Sequence, residues 1–254
     1  MKIFLGQSSR GAKNVDDPNT TIQRRQLIKN KPLLRLIYTE WYEKLSSMVP
    51  PGPGQVLEIG SGPGFLEQFV PSLITSELFF LPNIRCVQDA QSLGIADASL
   101  KAILMVDVLH HLPEGRRFFS EAARCLRPGG VLAMIEPWNT PWSSFIYRNF
   151  HPEPFDPHAA RWEFDSSGPL SGANGALAWI IFKRDLALFQ QEFPQFQLHT
   201  RQVFMPFRYL LSGGLSRPAF APTASFSLLT RCERWLDRWS NALGMFCFIV
   251  VRRK

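Results

Sequence analysis

A loop with three glycines at alternate positions constrains this chain more than any other feature. It lies in VLEIGSGPGFLEQF, residues 56–69, where a short apolar run precedes Gly60, Gly62 and Gly64 and a helix-like run follows them. Glycine allows a ligand or another part of the chain to approach the backbone very closely. The loop therefore predicts a strand–turn–helix unit with room for a ligand at the turn.

The spacing of the glycines argues against two phosphate-binding motifs. A dinucleotide fingerprint, G-x-G-x-x-G, would place its third glycine where Phe65 stands, and a P-loop would carry a lysine directly after its last glycine. Pro63 also removes a backbone N–H from the loop. The pattern that fits is E-x-G-x-G-x-G, in which Glu58 precedes the first glycine by two positions.

Short apolar runs alternate with helical segments along much of the chain. The clearest helix is EGRRFFSEAARCL, residues 114–126, which ends at RPGG. Strands that alternate with helices are typical of a parallel sheet with crossover connections. The predicted strands are 55–60, 73–78, 84–89, 101–109, 131–137, 196–204 and 245–253.

The flanking segments predict one domain with additions to its sheet. Residues 1–20 lack periodicity and are expected to form a flexible arm, and residues 21–254 a single domain. Apolar residues recur at helical spacing over 21–49, before PPGPG stops the helix. The Pro-, Trp- and Phe-rich segment 138–174 is expected to be a mostly irregular lid, and 175–193 a helix that begins the C-terminal part, 175–254.

Five segments, in order, resemble the motifs of a known family over about residues 55–137. They are LEIGSGPG, ITSEL, VQDAQSL, MVDVLHHL and CLRPGGVLAMIEP. With these motifs the chain resembles the class I S-adenosylmethionine (SAM)-dependent methyltransferases, in particular the type 11-like group. The resemblance implies a Rossmann-like α/β fold, whose seven-stranded, mostly parallel sheet has an antiparallel last strand. An N-terminal helix and a Trp/Pro-rich insertion after strand 5 would be added to it.

The resemblance also implies SAM as the cofactor and a set of residues that hold it. Glu77 matches the acid that binds the ribose hydroxyls, and Asp89 matches the acid near the adenine amino group. A carboxylate suits the ribose because it can accept hydrogen bonds from two vicinal hydroxyls. Glu58 and Asp107 would add negative charge near the sulfonium cation. The expected cofactor-binding residues are Glu58, Gly60, Ser61, Gly62, Gly64, Glu77, Asp89, Ala90 and Asp107.

Residues on the acceptor side are expected after the fourth and fifth strands. His110, His111 and Glu136 are the catalytic candidates, because a neutral histidine near the transferred methyl could take a proton from a hydroxyl. The alternative for each histidine is a structural ring in the core. The segment HPEPFDPH, residues 151–158, contains His, Glu and Asp residues, which can ligate metals. Their spacing matches no metal-binding motif, so no metal site is expected.

Net charge, motifs and cysteine content limit which partners and which cellular location are expected for this chain. The formal net charge of +7 favours anionic partners, but the motif [DNS]-P-P-[YFW] of amino-methylating nucleic-acid enzymes is replaced by DVLHH, which argues against nucleic acid. Four cysteines without ligand spacing and the lack of a signal-like apolar run favour a cytoplasmic protein. The predicted basic amphipathic helix over 230–243 suits either packing on the sheet or peripheral contact with a membrane.

The sequence thus predicts an enzyme that transfers a methyl group from SAM to a small-molecule or lipid/saccharide-linked acceptor, at oxygen. The alternatives left open are a non-catalytic binding or regulatory subunit with the same fold and an RNA methyltransferase. A nucleotide-dependent oxidoreductase is disfavoured by the glycine spacing.

Overall fold

A computed structural model describes residues 16–168 and 170–254 of the chain. Most of the expected flexible arm, residues 1–20, lies outside the described residues. Residues 18–20 are described, and they are helical. Helix α1 begins at Pro18, and the Asp17 side chain caps it by accepting a hydrogen bond from the backbone N–H of Asn19 at 2.9 Å. The helical pattern therefore starts three residues earlier than predicted.

The single helix expected over 21–49 is two helices. Helix α1 spans Pro18–Lys29 and α2 spans Pro32–Ser46. The break follows from Pro32, which lacks an N–H group and whose ring would clash with a carbonyl of the preceding turn. Helix α2 buries an apolar face against the sheet, formed by Leu33, Leu34, Ile37, Trp41 and Leu45.

In the described part of the chain, seven strands form one sheet in the order β3-β2-β1-β4-β5-β7-β6. Strand β7 runs antiparallel to both of its neighbours, and all other pairs are parallel. The predicted topology, including the antiparallel last strand, is confirmed. The strands are Gln55–Ile59 (β1), Ile74–Glu77 (β2), Cys86–Val87 (β3), Leu100–Val106 (β4), Leu126–Pro137 (β5), Phe196–Phe204 (β6) and Phe246–Arg253 (β7).

The order of the strands determines where a ligand can bind. Strands β1 and β4 lie side by side in the middle of the sheet, and the chain proceeds outward from them in opposite directions. The carboxyl ends of such neighbouring strands leave a crevice between their outgoing loops. The central strands β4 and β5 are almost wholly buried, as expected for parallel strands covered on both faces.

Helical segments cover the two faces of the sheet. The loop from β2 to β3 holds no helix among the described residues, as the short FFLPN segment suggested. The remaining helices are Gly115–Cys125 (α3), Pro141–Phe150 (α4), Leu177–Trp179 (α5), Leu186–Glu192 (α6), Arg208–Leu211 (α7), Phe226–Trp235 (α8) and Ser240–Leu243 (α9).

The segment after β5 is more regular than expected. Helix α4 begins there with a capping box, in which Thr140 and Ser143 exchange side chain–backbone hydrogen bonds of 2.8 and 3.1 Å. The helix predicted over 175–193 is interrupted instead: α5 passes into a π turn, Ile180–Arg184, and α6 follows Asp185. The Trp162 indole donates to the Asp185 carboxylate at 2.9 Å and so fixes this interruption.

The predicted helix over 230–243 is also divided, and its aromatic face is not packed on the sheet. Trp235 is 64% exposed and Trp239 41% exposed. Packing on the sheet, which the sequence allowed, is therefore wrong for these two side chains. Within the described residues, no helix is both long enough and apolar enough to cross a bilayer.

A buried ion cluster joins α7 and α8 to α2. The Arg208 guanidinium contacts the Glu233 carboxylate and donates to Glu40 at 2.9 Å and to Thr230 at 2.8 Å. Glu233 also accepts hydrogen bonds from the backbone N–H groups of Phe207 and Arg208. A buried charge is tolerated only when it is paired in this way.

Replacing Glu233 with leucine is expected to lower the free energy of unfolding by about 3–5 kcal/mol, because it leaves the Arg208 charge buried without its main partner. Urea unfolding followed by tryptophan fluorescence measures the change. The neighbouring exposed Arg234→Ala is the control and should stay within about 0.5 kcal/mol of the wild type. Equal stability of the two variants would contradict the role given to the cluster.

Candidate functional site

The carboxyl ends of β1, β2 and β4 open into a cleft of about 1060 Å³. Helices α1 and α2 form one wall, and residues 150–155 and 209–220 form much of the other. Clefts that hold small ligands usually measure roughly 300–1,000 Å³. This one therefore has room for a cofactor together with a second molecule.

The glycine loop forms the floor of the cleft. Gly60 has a φ of +67°, and a Cβ atom at this position would overlap the Val108 side chain. Gly62 has a φ of +41°, and a Cβ there would stand 3.3 Å from Oε1 of Glu77 and fill the space in front of that carboxylate. The glycines thus keep β1 against the loop that follows β4 and keep the Glu77 carboxylate accessible.

A small hydrogen-bond network fixes the loop against β2. The Ser61 backbone N–H donates to the Ser76 carbonyl at 2.9 Å, and the Ser76 N–H donates to the Ser61 hydroxyl at 3.0 Å. The Ser76 hydroxyl donates in turn to the Glu58 carbonyl at 2.7 Å. Ser61 therefore ties the glycine loop to β2 through its backbone N–H and its hydroxyl, and Gly62 follows it directly in the loop.

Two carboxyl groups line this end of the cleft. At the end of β2, Glu77 accepts a hydrogen bond from the Leu78 N–H at 3.0 Å, and burial raises the pKa of its carboxyl. Glu58 lies inside β1, where burial raises its pKa to about 8 although a hydrogen bond with Ser61 opposes the shift. Both carboxyl groups line the cleft, where their oxygens can meet hydrogen-bond donors of a ligand.

Of the residues after β3, the structure brings Ala90 to the cleft but not the Asp89 side chain. Asp89 accepts hydrogen bonds from the backbone and side-chain nitrogens of Gln91 at 2.8 and 3.1 Å, so it holds a turn. Gln88 lines the cleft instead, and its buried Nε2 has no hydrogen-bond partner among the described residues. Sequence reasoning missed Gln88, for which the position beside Asp89 was the only signal.

Asp107 follows β4 with a φ of +55°, an unusual backbone conformation for a residue other than glycine. It lines the cleft, and its Oδ1 is buried without a partner in the described part of the chain. Burial raises the pKa of its carboxyl to about 7, while His110 opposes the shift. A strained residue with an unsatisfied buried oxygen is typical of a ligand-binding position.

Glu136 does not face the cleft. Its carboxylate is fully buried and accepts three hydrogen bonds, from the N–H groups of Val108 and Leu109 at 2.9 and 2.8 Å and from Nδ1 of His110 at 2.7 Å. A role as a catalytic group in contact with an acceptor does not suit this geometry. Glu136 is instead a positioning residue that holds the turn after β4 and the His110 ring.

His110 is buried between two carboxylates. Burial lowers the pKa of its ring, but the hydrogen bonds to Glu136 and Glu153 outweigh burial and raise it to about 10. Its Nε2 lies 3.6 Å from Oε2 of Glu153. A ring held in the protonated state cannot accept a further proton, so His110 does not suit the role of a general base.

His111 differs from His110 in its protonation state. Its Nδ1 lies 3.2 Å from the Gly172 carbonyl, which can only accept a hydrogen bond, so the ring proton sits on Nδ1 and the lone pair on Nε2. Burial and the neighbouring His110 lower the pKa of the ring to about 4. His111 is therefore a neutral acceptor 3.9 Å from Oε1 of Glu153.

Glu153 completes this cluster and comes from the predicted lid segment. Burial would raise its pKa, but the adjacent histidines hold it at about 2. The sequence offered Glu153 only as a member of HPEPFDPH without a metal motif. It could not show that the segment folds back onto the turn that carries His110 and His111.

Residues 73–134 match a family model described as a methyltransferase domain. Phthiotriol/phenolphthiotriol dimycocerosates methyltransferase 1 of Mycobacterium ulcerans is 26% identical over 170 residues, which are 66% of this chain and 51% of that protein. The chain thus aligns with about half the length of this curated relative.

Two solved structures share the fold. A Thermotoga maritima protein described as a SAM-dependent methyltransferase, possible histamine N-methyltransferase, has a TM-score of 0.55 and 15% identity over 93% of this chain and 98% of its own. A chain of a Haloferax volcanii complex that contains the Trm112 methyltransferase activator has a TM-score of 0.53 and 11% identity, covering 94% of this chain and 97% of its own. These likenesses confirm the predicted fold.

Glu58→Gln is expected to remove a pH dependence of stability. The folded chain holds the Glu58 proton up to about pH 8, whereas the unfolded chain releases it near the usual value of 4.5, so stability falls as pH rises between these values. The slope attributable to Glu58 approaches about 1.4 kcal/mol per pH unit.

Urea unfolding from pH 5 to 8 measures this slope for the wild type, Glu58→Gln and the exposed control Glu43→Gln. The wild type and the control should lose stability in parallel, and Glu58→Gln should lose clearly less. Identical slopes for all three proteins would show that Glu58 is not a buried neutral acid.

Proposed function

We propose that this chain is a class I SAM-dependent methyltransferase that transfers a methyl group from SAM to a hydroxyl of a small-molecule or lipid/saccharide-linked acceptor, a proposal supported by its fold and by the methyltransferase-domain match over residues 73–134. The observation that carries the proposal is the arrangement of the cleft floor. The space left by Gly62, the Glu77 carboxylate and an Asp107 oxygen that has no partner within the described part of the chain open into the same cleft.

The polar groups of the cleft fit the cofactor. Vicinal ribose hydroxyls are donors, and the Glu77 carboxylate, which already interacts with the backbone N–H groups of Leu78 and Gly62, has acceptor capacity left for them. The Gln88 amide N–H, which has no hydrogen-bond partner in residues 16–168 and 170–254, suits a ring nitrogen of a base, and Asp107 suits a cationic group of the methionine part. When bound, SAM supplies a methyl group that is activated by its sulfonium charge.

The His111–Glu153 side of the cleft would receive the acceptor. An acceptor hydroxyl would donate a hydrogen bond to the lone pair of His111 Nε2 or to the Glu153 carboxylate. Methyl transfer forms the new C–O bond, breaks the S–CH₃ bond and releases the hydroxyl proton, which this cluster takes up. Most of the catalytic effect would come from holding the acceptor oxygen in line with the methyl group.

Glu77→Ala and His111→Gln separate the two ends of the site. Glu77→Ala should weaken the binding of S-adenosylhomocysteine at least tenfold, because hydrogen bonds to a charged group contribute about 1.5–3 kcal/mol. His111→Gln should bind it like the wild type, because this side chain belongs to the acceptor end of the cleft.

Isothermal titration calorimetry measures both affinities, and circular dichroism verifies that the variants are folded. Once an acceptor is found, His111→Gln should reduce kcat more than tenfold. Unchanged affinity of Glu77→Ala would contradict the assignment of the ribose site. Loss of cofactor binding in folded His111→Gln would contradict the assignment of the acceptor end.

The surface of α8 and the turn after it supports a lipid-linked acceptor. We define the tryptophan–arginine surface as Leu228, Arg231, Arg234, Trp235, Arg238 and Trp239, all of them exposed. The Arg238 guanidinium lies 4.6 and 3.9 Å from the ring centroids of the two tryptophans. Tryptophans with surrounding arginines suit the interface of an anionic membrane, where the rings enter the headgroup region and the charges meet lipid phosphates.

In the sequence, the tryptophan–arginine surface follows shortly after a segment that lines the cleft. Phe220, six residues before α8, lines the cleft and is 64% exposed, and Phe150 at the end of α4 lines it and is 56% exposed. An acceptor with an apolar tail could thus enter past exposed aromatic side chains. The M. ulcerans relative, named for phthiotriol/phenolphthiotriol dimycocerosates, is compatible with a large acceptor.

Replacing both Trp235 and Trp239 with serine is expected to lower binding to phosphatidylglycerol vesicles at least tenfold, since burying each apolar side chain contributes about 1.5–3 kcal/mol. Co-sedimentation measures the binding. The control is Leu188→Ser, which removes an exposed apolar side chain on α6 and should leave binding unchanged. Absence of vesicle binding by the wild type, or full binding by the double variant, would exclude this surface as the contact.

A further inference from the structure

We propose that His110, His111 and Glu153 bind one divalent transition-metal ion at the acceptor end of the cleft. This inference deepens the proposed function, because it gives the cluster that would receive the acceptor a cofactor of its own. All three side chains line the same cleft, and one potential ligand atom from each lies within 4.8 Å of the others.

The distances between the ligand atoms are close to those of a formed site. Nε2 of His110 lies 3.6 Å from one Glu153 oxygen, and Nε2 of His111 lies 3.9 Å from the other. Two ligands bound at about 2.1 Å to a tetrahedral ion are separated by roughly 3.4 Å. Because the three ligand atoms lie within 4.8 Å of one another, side-chain movements of roughly an ångström would bring them onto one ion.

Both rings are already oriented as metal ligands require. His110 directs Nδ1 to the Glu136 carboxylate at 2.7 Å, and His111 directs Nδ1 to the Gly172 carbonyl at 3.2 Å. A metal-binding histidine usually donates its second N–H to a carboxylate or a backbone carbonyl, which fixes the tautomer and the plane of the ring. In both residues this leaves Nε2 for the metal.

The charges of the cluster balance with a divalent ion. The Glu136 and Glu153 carboxylates carry two negative charges next to two imidazole rings. Two neutral rings and one divalent cation make this group neutral. The competing arrangement keeps a proton on His110 between the two carboxylates, and the experiment below distinguishes the two.

The ligand types select the class of metal. Two imidazole nitrogens and one carboxylate suit Zn²⁺, Co²⁺, Fe²⁺ or Mn²⁺, whereas Mg²⁺ prefers oxygen ligands. Three protein ligands leave at least one coordination position for a small molecule in the cleft. An acceptor hydroxyl bound there would lose its proton more readily, and the Glu153 oxygen that does not bind the ion, in place of the His111 nitrogen, would accept that proton.

Titration of the chelator-treated chain, residues 1–254, with Zn²⁺ tests the proposal, and the visible absorption of added Co²⁺ reports the ligand environment. The wild type should bind one ion per chain, and Glu153→Gln should raise the dissociation constant at least tenfold. His158→Ala is the control, because this exposed histidine lies in the same segment but outside the cleft, and it should bind like the wild type. Mg²⁺ should not compete with Zn²⁺.

The affinity for S-adenosylhomocysteine, measured on the same samples, separates this inference from the proposed function. Intact cofactor binding in a protein that takes up no Zn²⁺ would overturn the metal site alone. Zn²⁺ binding that survives in folded Glu153→Gln and in His111→Asn would place the ion elsewhere and also overturn the site. Loss of cofactor binding in the wild type would instead overturn the proposed function.

Discussion

The buried carboxylate of Glu136 is the contact on which both ends of the cleft depend. It accepts hydrogen bonds from the backbone N–H groups of Val108 and Leu109 and from the ring of His110. The Val108 side chain occupies the space that a Cβ at Gly60 would need, so the turn held by Glu136 packs directly on the glycine loop. One group at the end of β5 thereby fixes the position of the glycine loop and the orientation of the His110 ring.

This arrangement explains why the cleft has two chemically different ends. Near the glycine loop, Glu58, Glu77 and Asp107 present carboxyl groups whose pKa values are raised by burial. At the other end, His110 and Glu153 hold each other in their charged forms. The first environment suits a ligand that brings its own positive charge and hydroxyl donors. The second suits an acceptor oxygen or a metal ion.

The sequence predicted the sheet well because the determinants of the sheet are local. Alternation of apolar runs with helices, the glycine spacing and the order of the motifs gave the parallel topology, and the resemblance gave the antiparallel β7. The division of the first helix could also have been read locally, since Pro32 breaks the pattern. The sequence predicted that Glu58 and Glu77 lie in the cleft, because Glu58 precedes the first glycine of the loop by two positions and Glu77 ends a recognisable strand.

The end of the cleft that holds His110 and Glu153 was predicted less well because its geometry depends on contacts between distant segments. Glu153 reaches His110 from a loop more than forty residues away, and no spacing rule encodes that contact. Glu136 looked like an acceptor-facing acid until its three donors were known. Whether Trp235 and Trp239 packed on the sheet or faced solvent could not be decided from an amphipathic pattern, which is the same in both cases.

Thermal unfolding in the presence of S-adenosylhomocysteine, with NAD⁺ as the comparison, tests the central claim most directly. A ligand at a hundred times its Kd adds about 2.7 kcal/mol to the free energy of unfolding, and for a chain of this size the Tm should then rise by several degrees. The account predicts this rise with S-adenosylhomocysteine and none with NAD⁺. A rise with NAD⁺ alone, or no rise with S-adenosylhomocysteine at millimolar concentration, would contradict it.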